Sequence, residues 1–113
     1  MAKNKQTKRI KDRKLLQGYI DNNPECEYCL YFNDIVNNNI ECHHIYGNAL
    51  RDDVTTNIIT LCVDHHKALH AGDISREILQ AIKLQKGELD DQWFKDRVIF
   101  YDRGEILRLS EEM

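Results

Sequence analysis

The chain holds a single proline, Pro24, only five glycines, and no apolar run approaching the ~20 residues that a bilayer-spanning helix requires. Its basic N-terminus is not followed by the apolar core of a signal peptide. These absences argue against a membrane partner or secretion and make the cytoplasm the expected compartment. Cysteine and histidine are missing from residues 1–25 and 71–113, and residues 73–113 also lack proline. What the flanks lack, the middle concentrates: all four cysteines and all five histidines fall between Cys26 and His70. Thiolate and imidazole are the side chains that bind borderline and soft metals. In a reducing compartment, cysteines interleaved with histidines point to metal ligands before disulfides.

At 113 residues there is room for one small domain, whose core is thin unless something reinforces it. Hydrophobic residues at 42% and charged residues at 31% are ordinary for a soluble globular chain, so bulk composition singles out no special class. The net charge of −3 conceals an asymmetry. Residues 1–14 carry Lys3, Lys5, Lys8, Arg9, Lys11, Arg13 and Lys14 against Asp12 alone, a balance of +6, which leaves −9 for the rest. A basic arm on an acidic body can follow a phosphate backbone through counterion release; a solvated, disordered leader is the plain alternative.

Three segments follow from this distribution. Residues 1–14 form a basic flexible leader, with too few apolar positions to fold alone. Residues 15–72 hold the ligand cluster and most of the turn signals: Asn22-Asn23-Pro24, Asn37-Asn38-Asn39, Gly47-Asn48 and Ala71-Gly72. Residues 73–113 form a helical C-terminal extension. Within the middle segment, residues 40–45 and the β-branched run 58–61 read as strands on either side of a polar loop. Asp64 caps a helix over 64–71 that carries His66, Lys67, Leu69 and His70 and ends at Gly72. Asp73 caps a further helix with Ile74, Ile78 and Ile82 at four-residue spacing, stopped by Gly87. A last helix over 90–101 presents Trp93, Phe94, Val98 and Tyr101, with a hairpin turning at Asp102-Arg103-Gly104 as the alternative. The isoleucine stripe with Trp93, Phe94 and Val98 reads as core covering. The expected fold class is α+β.

On a helix, His66 and His70 stand four apart and project from one face, so two imidazoles can grip one ion. His43 and His44 adjoin at the end of a strand and point to opposite sides of it. A metal held by His43, His66 and His70 keeps a coordination position open, as a catalytic site requires. His44 is then free to accept a proton near neutral pH. A general base needs its ring fixed in one tautomer. The side-chain carbonyl of Asn57, just before the second strand, is the natural acceptor for its other N–H. A purely structural zinc cluster, or scattered surface histidines, is the alternative.

His43-His44-Ile45, Asn57 and Leu61-Cys62-x2-His65-His66-x3-His70 resemble the ββα-metal motif of HNH endonucleases. The phrase Glu41-Cys42-His43-His44-Ile45-Tyr46-Gly47 is particularly similar to that of small bacteriophage HNH proteins. The double histidine, central asparagine and terminal His-x3-His also resemble the nuclease domains of DNA-cleaving colicins. The resemblance covers about residues 24–72, with four separated elements agreeing in type and order. It implies a small ββα-metal, treble-clef-like domain that hydrolyses phosphodiester bonds of double-stranded DNA with one divalent ion, Mg, Mn, Ni or Zn. In that motif His44 matches the general base, Asn57 the asparagine and His66 the final histidine. His43 stands where many members carry a metal-binding Asp, and His70 matches a ligand found in some branches. Arg51 and Lys67, with Lys8 and Arg9 of the leader, are the DNA-contacting candidates. A relative active only beside phage packaging proteins, in the bacterial host cytoplasm, fits the same resemblance. A zinc-stabilised DNA-binding module without catalysis is the rival from another class.

Cys26-x2-Cys29 and Cys62-x2-His65 are paired two-residue knuckles of the kind that close a tetrahedral zinc site. Many HNH proteins carry two Cys-x2-Cys knuckles around the motif; here the last position is His65, which makes the expected structural zinc site Cys3His. His65 lies about 100° around a helix from His66, so one helix can serve two ions. Cys42 competes with His65 for the fourth position. Pointing to the face opposite His43, Cys42 reads otherwise as a small buried thiol. Such a clasp reinforces a thin core, because the free energy of zinc binding becomes free energy of folding.

Overall fold

A computed structural model describes residues 8–32, 35, 39–47, 51–97 and 99–113, and among these it shows a two-stranded antiparallel sheet and six α-helices. The first seven residues of the leader, the turn residues Asn37, Asn38 and Asn48, and Val98 lie outside these. In chain order the elements are α1 (Arg13–Asn22), α2 (Glu27–Tyr31), β1 (Ile40–His44), β2 (Ile58–Cys62), α3 (Val63–Ala71), α4 (Arg76–Gln85), α5 (Asp91–Arg97) and α6 (Arg103–Glu111).

The hairpin and the helix after it carry most of the metal-type ligands. β1 pairs with β2 so that His43 stands opposite Ile59 and His44 opposite Ile58. All five residues of β2 are buried, because α2 and α3 both pack against it. That double burial suits a run of Ile58, Ile59, Thr60 and Leu61 with no polar face to present. α3 follows without a loop, so Cys62 is both the last strand residue and the N-cap. Asp64, the expected cap, sits instead in the first turn, where a carboxylate favours the helix N-terminus. Gly72 ends the helix with φ at 85°, a left-handed conformation that favours glycine.

Asp73 is displaced from its expected capping position by the end of α3. Its backbone N–H donates to the Ala68 carbonyl at 2.8 Å, and that of Ile74 reaches the same oxygen at 3.2 Å. Ser75 caps α4 in its place, its hydroxyl accepting from the Ile78 N–H at 3.2 Å. Of the expected stripe, Ile74 and Ile82 join Ile59 and Leu61 in the core and Ile78 packs partly buried against it, while Leu79, outside the stripe, is buried as well.

The helix expected over 90–101 ends at Arg97, and the hairpin alternative does not form. Tertiary contacts decide this. The buried carboxylate of Asp52 accepts from Trp93 Nε1 at 2.9 Å and Arg97 Nη2 at 3.0 Å. Tyr101 stacks on Phe94 with ring centroids 4.0 Å apart, although seven residues of continuous helix would separate them by about 10 Å. Asp102 then caps α6, accepting from the Glu105 N–H at 3.0 Å.

The boundary expected after residue 14 falls inside α1. Asp12 caps that helix by accepting from the Leu15 N–H at 3.0 Å, and Tyr19 on it is buried. Residues 8–12, expected as part of a flexible leader, are bound to the core. The N–H groups of Ile10 and Asp12 donate to the carboxylates of Asp52 and Asp53, each at 2.8 Å, and the Asp53 N–H donates to the Ile10 carbonyl at 2.8 Å. Two buried carboxylates need donors, and this segment supplies them.

A second polar network lies behind β2. Glu27 Oε2 accepts from the Thr60 N–H at 2.9 Å and from the Tyr19 hydroxyl at 2.7 Å. The fully buried Lys83 donates to the same hydroxyl at 2.9 Å. Burial lowers the Lys83 pKa, while Glu88 and Glu27 oppose that shift. Through this network α1, α2, β2 and α4 form one packed unit. Among the described residues no helix is long and apolar enough to cross a membrane.

Candidate functional site

Two clusters of ligand-type side chains draw on adjacent residues of α3, His65 and His66. The first joins Cys26 and Cys29, at the start of α2, to Cys62 and His65 where β2 runs into α3. His65 Nδ1 lies 3.4 Å from the sulfurs of Cys26 and Cys29 and 3.3 Å from that of Cys62. All four ligand atoms fall within 4.8 Å of one another. A tetrahedral ion with Zn–S near 2.3 Å and Zn–N near 2.0 Å sets its S···N edges at about 3.5 Å. The three thiols are buried, and none is joined in a disulfide. Thiols crowded around one imidazole nitrogen offer each other only weak hydrogen bonds, so the donor set fits a thiophilic cation. This cluster could hold a metal such as zinc. Its fourth position belongs to His65; Cys42 is half-buried on β1, outside the cluster.

The second cluster lines a cleft of about 370 Å³ between the end of β1, α3 and the start of α4. His66 and His70 project from one face of α3 with their Nε2 atoms 2.8 Å apart. The His43 ring lies against that of His66, centroids 3.6 Å apart. His43 Nε2 is buried and has no hydrogen-bond partner among the described residues, with Glu41 Oε1 3.5 Å away. Burial, then the nearby rings of His66, His70 and His44, push the His43 pKa down to about 4, with Glu41 opposing. A neutral, buried and orphaned ring nitrogen is a lone pair in search of a cation. The His43 ring meets His66, and His66 meets His70, but the set at this cleft whose ligand atoms all lie within 4.8 Å of one another is Glu41, His43 and His66, with His70 outside it. These residues could hold a divalent ion.

His44 lines the same cleft with its ring held from behind. Its Nε2 lies 2.8 Å from Asp53 Oδ1. Asp53 is buried, which alone would raise its pKa, but the Asp12 N–H, His44 and Arg9 outweigh burial and hold it below the usual carboxylate value. An ionised carboxylate only accepts, so Nε2 carries the proton and Nδ1 keeps its lone pair. Nδ1 makes no hydrogen bond among the described residues, and can accept a proton from something bound in the cleft.

The expected partner of His44, Asn57, does other work. Asn57 is fully buried, and its Oδ1 accepts from the Tyr46 N–H at 2.8 Å. Its Nδ2 donates to the carbonyls of Asp52 at 3.1 Å and Tyr46 at 3.3 Å. Asn57 thus pins the backbone on both sides of the loop that presents His44, while Asp53 takes the ring. The correction follows from satisfaction of donors: an amide buried among backbone groups pairs with them first.

The candidate phosphate contacts are scattered. Arg9 is committed to the Asp53 carboxylate at 3.3 Å, and Lys8 gives its carbonyl to Arg97 Nη2 at 2.8 Å. Arg51 and Lys67 are exposed and lie off the cleft wall, whose cation is Arg76. Glu41, Asp53 and Arg76 are site residues that ligand spacing alone does not single out. Glu41 carries a signal, since strand positions two apart share a face with His43. Asp53 and Arg76 reach the site through tertiary contacts with no local signature. Comparison of the chain with protein-family models, with curated proteins and with solved structures finds no match.

Proposed function

We propose that the chain is a metal-dependent HNH-type endonuclease that hydrolyses phosphodiester bonds of double-stranded DNA. One arrangement carries the reading. Three imidazoles, His43, His66 and His70, face one cleft, and a fourth, His44, stands beside them with a carboxylate behind its ring. Hydrolysis of a phosphodiester requires a water to lose its proton while negative charge grows on the phosphoryl and leaving oxygens. His44 accepts that proton at Nδ1, and Asp53 holds the resulting imidazolium in place. A divalent ion bound by His43, His66 and His70, with Glu41 in reach, would supply Lewis-acid stabilisation of the growing charge. Imidazole ligands favour Zn or Ni, and a carboxylate widens the choice to Mn and Mg. On this reading the cluster of Cys26, Cys29, Cys62 and His65 holds a structural zinc that fixes α2 to the junction of β2 and α3, beside the ββα-metal cleft.

Plasmid cleavage across a series of divalent ions, with an EDTA control, tests the proposal. The chain should nick or linearise DNA, and EDTA or His44→Ala should abolish cutting while DNA binding survives. A chain that binds DNA and cuts none with any ion is instead a zinc-stabilised binding module.

A further inference from the structure

Among the described residues, Arg76, the first residue of α4, is the one permanent cation on the cleft wall, and the hydrolytic reading leaves it without a task. Its guanidinium lies over the ring of Tyr46, 4.2 Å from the centroid, and its Nε donates to the Ile45 carbonyl at 3.2 Å. Nη1 and Nη2 make no hydrogen bond among the described residues, and no carboxylate described there forms an ion pair with them. A surface arginine without an anionic partner ordinarily samples many rotamers. Here the aromatic face and the backbone carbonyl fix the plane of the fork before any ligand arrives.

Ile45 follows His44 directly, so the fork is anchored to the backbone beside the proton acceptor. Tyr46 is itself fixed, because Asn57 holds its N–H and carbonyl and its ring packs edge-on against Phe94. Among the described residues, the other polar side chains on the cleft wall are those of His43, His44, His66 and His70. Outside residues 1–14 the chain carries −9, a field that opposes the approach of a polyanion. Two free parallel N–H groups on a rigid guanidinium match a phosphate's oxygens in bidentate fashion, as a lysine ammonium does not.

We propose that Arg76 grips the scissile phosphate of the DNA substrate through Nη1 and Nη2, setting the phosphorus beside His44; this rests on the endonuclease reading above. Arg51 and Lys67, off the cleft wall, serve at most the flanking backbone.

The test uses the metal-loaded full chain and a short DNA duplex. Arg76→Ala should lower kcat/KM by about 10- to 100-fold. Arg76→Lys should recover less than half of that loss on a logarithmic scale, because charge returns without the fork. In a His44→Ala background, where DNA is bound and left uncut, adding Arg76→Ala should reduce the slope of log affinity against log salt by about one. Wild-type kcat/KM and an unchanged salt slope in Arg76→Ala would overturn the assignment, as would full rescue by Arg76→Lys. If the parent chain cuts no DNA with any divalent ion, the endonuclease reading falls, and the salt slope still decides whether Arg76 contacts phosphate.

Discussion

Oδ1 of Asp53 lies 2.8 Å from Nε2 of His44, and the same carboxylate accepts the Asp12 N–H at 2.8 Å with Arg9 Nη2 at 3.3 Å. Asp53 is therefore an anion built into the fold, and the His44 ring is locked by it into one tautomer. Asp53→Asn keeps the volume but lets an amide N–H face Nε2, which puts the ring proton on Nδ1, the nitrogen that should accept one. We expect kcat for DNA cleavage to fall on the order of 100-fold, with DNA affinity little changed. A kcat within threefold of the parent would remove Asp53 from the site.

The same carboxylate makes stability depend on pH with a definite sign. The pKa of Asp53 is lower in the folded chain than its ordinary value of 3.8. Its stabilising contribution is thus fully present above that value and is lost as pH falls through the lower, folded one. Thermal melts of the parent and of Asp53→Asn should differ at neutral pH by about 1–3 kcal/mol. The gap should narrow below pH 3.8. Acid release of any bound metal acts on both proteins and cancels in the difference. A gap that widens on acidification would contradict the assignment.

Metal removal tests the cysteine clasp independently of catalysis. Protein purified without added metal should carry about one tightly held zinc per chain. Cys26→Ser should lose that zinc and melt well below the parent, by several kcal/mol on the order seen for structural sites. Cys42→Ser, altering a thiol outside the cluster, should keep the zinc. Zinc lost equally in both variants would place Cys42 among the ligands; none in the parent would mean four plain thiols.

How much of this was legible before the fold was known depends on the range of each interaction. The helix of His66 and His70 and the stop at Gly72 rest on local chemistry, so spacing alone reveals them. The pairing of two knuckles likewise shows in their two-residue gaps, and only the choice between His65 and Cys42 needed geometry. α1 escapes notice for another reason. Asp12, Leu15, Leu16, Tyr19 and Ile20 form a capped stripe, but Arg13 and Lys14 make the segment look like a solvated arm. The break after Arg97 and the role of Asp53 had no local signal at all. Both depend on the adjacent acids Asp52 and Asp53 being drawn inside by donors more than forty residues away, Ile10, Asp12 and Arg97.

Asn57 offers the sharpest separation of support from chemistry, because three of its hydrogen bonds run to backbone groups of Tyr46 and Asp52. Asn57→Ala leaves those groups buried and unpaired. The expected cost is about 2–3 kcal/mol of stability, seen as a lowered melting temperature. His44→Ala removes a mostly buried ring and one partner of Asp53, but that carboxylate keeps the Asp12 N–H and Arg9, so the cost should be smaller, about 1 kcal/mol. Activity should fall in both, for different reasons: His44→Ala lacks the proton acceptor, whereas Asn57→Ala lets the loop carrying His44 and Tyr46 shift. Lower assay temperature should therefore restore part of the activity of Asn57→Ala and none of that of His44→Ala. If Asn57→Ala melts like the parent and stays inactive at every temperature, the asparagine touches the reaction itself.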